Sequence, residues 1–154
     1  MRREIFEKIR REICGLEGPD GERLIKHVDL WNRNVEFAGQ DEVWDRPAVF
    51  VEFGMIEWKH ARPAPGKRCS MRCSAELSLH VVTDWHAGEP CLCFPHASNV
   101  PDGLSLMGAL SYVLTGLRGD RFSDLMPVRE LSNHDHGELL EETLVMGYRG
   151  HVDY

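Results

Sequence analysis

The segment AELSLHVVTDW, residues 75–85, restricts the fold of this chain more than any other stretch. Ala75, Leu77, Leu79, Val81, Thr83 and Trp85 fall on one face of an extended strand, and Glu76, Ser78, His80, Val82 and Asp84 on the other. A strand with one apolar and one mostly polar face belongs in an antiparallel sheet that is covered on one side. His80 is thereby expected on a solvated face. A second β segment, AVFVEF at 48–53, is β-branched and aromatic and follows Pro47. Gly54 predicts a bulge after it, with Met55 to Trp58 continuing the strand. In HVDLW, Val28 and Leu30 alternate with polar neighbours and predict a short strand. Near the C-terminal end, residues 127–133 (PVRELSN) and 139–149 (LLEETLVMGYR) flank the turn letters NHDHGE and read as a hairpin. Leu140, Leu144, Met146 and Tyr148 share one face of its second strand.

Two helical periods interrupt the strands. Ile5, Ile9 and Ile13, with Phe6 beside them, make an apolar stripe on a helix over 2–14, which Gly15, Gly18, Pro19 and Gly21 bring to an end. A second helix is expected over 102–118. Asp102 stands at its N-cap, Met107, Leu110, Leu114 and Leu117 face inward, and Gly119 stands at its C-cap. Residues 59–73, with Lys59, Arg62, Lys67, Arg68 and Arg72, and residues 86–103, rich in Pro and Gly, read as long exposed loops or hairpin tips. There is too little βα alternation for a doubly wound parallel sheet. The expectation is a single α+β domain over 1–154, with a largely antiparallel, mixed sheet and helices packed on one face.

Charge narrows the function. With 25 acidic and 18 basic residues the chain carries −7, so direct sequence-specific nucleic-acid binding is not expected. Glu4, Glu7 and Glu12 interrupt the basic cluster Arg2, Arg3, Lys8, Arg10 and Arg11, which reads as a solvated helix face. No apolar run approaches the ~20 residues of a membrane helix. The start MRREIFEKIRREI lacks the apolar stretch of a signal peptide, and five cysteines fit a reduced compartment, so a cytoplasmic location is expected.

The residues that could carry chemistry have plainer readings. Cys69 and Cys73 lie four apart, Cys91 and Cys93 two apart, with His80, His86 and His96 near them in sequence. Zinc sites pair their ligands as C-x₂₋₄-C. The first pair meets that spacing only formally and the second does not, so these read as unpaired loop thiols. His134, Asp135 and His136 sit among turn residues and read as a hairpin turn. Glu141 and Glu142 point to opposite faces of a strand and make a poor acid–base pair. Cys14, beside a helix end, reads as small packing filler. No G-x-S-x-G, P-loop or H-E-x-x-H occurs. No enzymatic activity, catalytic residue, cofactor or metal ligand is expected. Trp31, Trp44, Trp58 and Trp85 lie in or beside strands, where aromatics fill cores and rims and are enriched at protein interfaces. The combination points to an assembly component.

The order of elements supports that direction. An amphipathic helix precedes a Pro-Ala-Val-Phe-Val strand (Pro47 to Val51). A strand ending Val-Val-Thr-Asp-Trp (Val81 to Trp85), a helix at about 104–118 and a terminal hairpin ending Met-Gly-Tyr-Arg (Met146 to Arg149) follow. Over residues 25–150 this resembles the tail-terminator or tail-completion proteins of long-tailed bacteriophages, including prophage copies. The resemblance implies a mixed sheet flanked by helices. It also implies a ring of subunits, usually sixfold, that caps the tail tube and meets the tail tube protein and head-connector proteins, in the bacterial cytoplasm and then in the virion tail. It carries over no catalytic residue, and the loops 59–73 and 86–103 depart from it. The alternative is a small α+β domain that binds a metabolite or metal through its Cys/His loops.

Overall fold

A computed structural model describes residues 1–18, 20–32, 44–63, 65–84, 103–133 and 139–154. The elements are α1 (Arg2–Cys14), β1 (His27–Leu30), β2 (Ala48–Ala61), β3 (Ser70–Asp84), α2 (Gly103–Leu114), β4 (Phe122–Asn133) and β5 (Leu139–Asp153). The strands form one mixed sheet in the order β1-β2-β3-β5-β4. β1 pairs with β2 in parallel, and the remaining neighbours are antiparallel. The α+β architecture is the expected one.

Both helices pack on one face. Ile5, Ile9 and Ile13 of α1 and Leu106, Met107, Leu110 and Leu114 of α2 share a core with Val49, Val51, Leu77, Leu79, Val81, Leu144 and Met146. The sheet residues in that set are two apart along each strand, as the pleat requires. The intervening residues Ala48, Phe50 and Val82 belong to a second, smaller cluster on the opposite face. The bulge expected at Gly54 is present as a register shift between Phe53 and Ile56. A side chain at Gly54 would come within 3.0 Å of the Glu76 carbonyl oxygen. Arg2 Nη2 donates to the Gly54 carbonyl at 3.0 Å and ties α1 to the bulge.

Three boundaries differ from expectation. Both ends of the segment 59–73 are strand: β2 runs to Ala61 and β3 starts at Ser70, with Lys59 opposite Arg72 and His60 opposite Met71. β5 continues beside β3 as far as the Ser70–Asp153 pair, so this stretch of β3 is hydrogen-bonded on both sides. Its exposed basic side chains conceal the alternation that marks a strand. α2 ends at Leu114, where Gly116 takes the positive φ of 79° and its N–H donates to the Leu125 carbonyl at 2.8 Å. Gly119 is therefore not the cap. Its backbone packs against Phe122, whose ring an added Cβ would overlap. Glu4 accepts from the adjoining Asp120 N–H at 2.5 Å and joins α1 to this turn. β4 begins at Phe122 rather than 127, through two bulges that break its alternation. Pro127 sits on this edge strand, where a missing N–H is tolerated. Trp85, residues 86–102, the proposed cap Asp102 and the turn residues 134–138 lie outside the described residues. No helix among the described residues is long and apolar enough to cross a membrane.

Tyr148 supplies a pH prediction. It is 3% exposed, and its hydroxyl has no hydrogen-bond partner among the described residues. Burial, with a smaller push from Cys73 and an opposing pull from Arg2, raises the phenol from 10.0 to about 12. Below pH 10 the ring is neutral in both states. From there the unfolded chain releases the proton while the folded chain keeps it, so stability falls through about pH 12. Tyr148→Phe should raise stability by about 1 kcal/mol at neutral pH by removing the unpaired hydroxyl. It should also lose less stability between pH 10 and 12 than the parent chain. Urea midpoints across that range check both, and parallel pH profiles would refute the assignment.

Candidate functional site

The side of the sheet away from the helices carries the features that packing alone does not require. At one end is an aromatic group built on β2. Trp44 meets Phe50 edge-on at 5.1 Å between centroids, and Trp31 meets it at 6.2 Å. Trp31 also stacks on the imidazole of His80 at 3.9 Å, with the rings 11° apart. His80 is thus not on a solvated face. Its Nδ1 lies 2.6 Å from Glu141 Oε1 and its Nε2 lies 3.1 Å from Glu52 Oε2. Asn133 Nδ2 donates to the other Glu141 oxygen at 3.0 Å.

The register produces this arrangement. His80 faces Phe50 on β2 and Thr143 on β5, which places it diagonal to Glu52 and Glu141. Both ring nitrogens are engaged and an indole covers the ring, so the group ties three strands together rather than presenting a free base. Glu141 and Glu142 lie on opposite faces, as expected, yet both are buried. Glu142 accepts from Ser132 Oγ at 2.7 Å. The Glu52–His80–Glu141 group leaves no mark in the sequence, because its members are distant in the chain and only the pairing register joins them.

The cysteines and histidines singled out in the sequence divide. Cys14, Cys69 and Cys73 are free thiols. Cys73 is buried opposite Trp58 and Gly150, while Cys69 Sγ lies 3.9 Å from His60 Nδ1. Among the described residues, no group of three or more His, Cys, Asp or Glu side chains is arranged to hold a metal. Cys91, Cys93, His86, His96, His134, Asp135 and His136 lie outside the described residues. Of the tryptophans, Trp44 is core, Trp31 is half-buried and Trp58 is exposed.

Two surfaces remain. The edge strand β4 exposes Met126 and Val128 by 50% each and Leu131 by 53%. The β2–β3 connection projects Arg62, Lys67 and Arg68 into solvent, anchored by the backbone pairing of Cys69 with Tyr154.

These features define a small α+β protein with one helix-covered sheet face and a partly apolar edge strand that pairs on one side only among the described residues. No protein-family model matches the chain, and no curated protein matches it. Among solved structures it is similar to a chain of the "Virion of native gene transfer agent (GTA) particle". The identity is 10% and the TM-score 0.46, over 100% of this chain and 95% of that one. At that score the likeness carries no inference about function.

Proposed function

We propose that this chain is a phage-like structural protein that acts by assembly, as a tail-terminator or tail-completion subunit. In this reading the subunits form a ring, usually sixfold in such proteins, at the end of a tail tube and join it to the head connector. The observation that carries the reading is the β4 edge. Three large apolar side chains stand half-exposed along a strand at the sheet edge of the described residues, and exposed apolar surface of that kind marks an interaction site. Pro127 and the two bulges interrupt the edge, which favours a selective contact over open-ended strand pairing.

A ring needs two different patches on each subunit, joined head to tail. The basic hairpin end with Arg62, Lys67 and Arg68 supplies the second, two strands away from β4 in an acidic chain. A contact through it would weaken with salt. The element order from Pro47 to Arg149, similar to that of tail terminators, supports the same reading. The role needs no catalytic residue, cofactor or metal.

The test compares the intact chain with a Val128→Asp, Leu131→Asp double variant by sedimentation velocity. Both positions are half-exposed, so the variant should keep its melting temperature. The intact chain should gain mass with concentration, and the variant should remain monomeric. An equal gain in mass by the variant would rule out β4 as the contact.

A further inference from the structure

The second end of the sheet face opposite α1 and α2 holds an arrangement that neither packing nor the assembly reading explains. Lys59 on β2 stands directly opposite Arg72 on β3, and Arg72 opposite His151 on β5. Like charges placed opposite each other across strands destabilise a sheet. One rung along, on the same face, Glu57, Ser74 and Arg149 lie side by side, with Ser123 of β4 beside Arg149. These residues line one groove of about 530 Å³.

The cations in this groove stand together on one sheet face, within reach of a shared ligand. Arg3, Lys26, Arg46, Arg118 and Arg129 each bind a carboxylate at 3.2 Å or less. The side chains of Lys59, Arg72 and Arg149 have no ion pair or hydrogen bond among the described residues, although acids outnumber bases by 25 to 18. Asp153, one rung beyond, accepts from the Ser70 hydroxyl. Three positive charges against the single carboxylate of Glu57 leave the groove at a formal +2. That charge matches a phosphate monoester, which is mostly a dianion at neutral pH with a second pKa of about 6. Two guanidinium forks, an ammonium and two hydroxyls suit the several oxygens of a tetrahedral group. The volume also falls within the ~300–1,000 Å³ of small-molecule sites, which leaves room for the body of such an ester.

We propose that this groove is a binding site for a phosphorylated small molecule, with the phosphate held by Lys59, Arg72 and Arg149 and the hydroxyls of Ser74 and Ser123. The site is independent of the ring reading. The opposed Lys59–Arg72 pair costs stability in the empty protein and is neutralised when the anion enters.

The test titrates the full chain with inorganic phosphate by calorimetry, with sodium chloride holding ionic strength constant. One saturable site is expected. Arg72→Gln and Arg149→Gln should each weaken it by about tenfold or more, the scale of one lost charge-assisted contact. All three positions are exposed, so these variants should fold. Lys59→Gln should raise the melting temperature in phosphate-free buffer while weakening phosphate binding, which a purely structural lysine would not do. Absence of saturable binding, or equal binding by the parent and both arginine variants, would overturn the proposal. So would a duplex oligonucleotide or a hexaglutamate peptide that binds tenfold tighter than phosphate at the same ionic strength, because the groove would then serve a macromolecular polyanion.

Discussion

Leu79→Ala is expected to cost about 2–5 kcal/mol of stability, the range for truncating a core leucine. Leu79 is 0% exposed in the middle of β3, flanked across the sheet by Val51 and Leu144. Ile5, Ile9, Leu106 and Leu110 of the two helices belong to the same core. The neighbours are held by two strands and two helices, so they have little freedom to close over the lost atoms. For a chain of this length each kcal/mol shifts the melting temperature by about 2–4 °C. Thermal unfolding of the parent and variant measures it. A loss below about 0.5 kcal/mol, as for an exposed position, would mean that the apolar face of β3 points away from the helices.

The second large effect belongs to His80. On a solvated strand face, His80→Ala would cost about 0.5 kcal/mol or less. The structure instead places the ring between Glu52 and Glu141, under Trp31, with 12% of the side chain exposed. Glu141 is more enclosed, with 5% of its side chain exposed. Removing the imidazole takes a close partner from a buried carboxylate, a loss that Asn133 offsets in part. A cost of about 2–3 kcal/mol is expected, in the range for hydrogen bonds to charged groups. A double-mutant cycle with Glu141→Gln isolates the pair. A coupling near zero would show that the contact contributes nothing to stability.

These two residues also show what the sequence could reveal. Leu79 was legible because its neighbours alternate at a period of two, and because one side of the sheet must bury that stripe. The same logic found α1 from Ile5, Ile9 and Ile13, the bulge at Gly54 and the β4–β5 hairpin. His80 was not legible, since its environment depends on which residues of β2 and β5 lie opposite. Strand pairing across 28 and 61 residues of chain decides that. The strand ends at 59–61 and 70–73 were hidden for a related reason. One face there carries Lys59 and Arg72, and the other mixes His60, Met71 and the buried Cys73, so no run of large apolar residues alternates with polar ones. That same charge, once the register aligns Lys59, Arg72 and His151, forms the groove assigned here to an anion. The end of α2 was misplaced because Gly116 and Gly119 are both plausible stops, and only φ and the close packing of Phe122 separate them.

The assembly reading is tested most directly by the mass of the intact chain in solution, measured by sedimentation velocity across a wide concentration range, at low and moderate salt, with and without isolated tail tubes. The mass should rise with concentration toward a closed ring and fall back as salt weakens the basic contact, and the chain should co-sediment with tube ends. A chain that stays monomeric at every concentration and salt, and leaves tail tubes unbound, would contradict it.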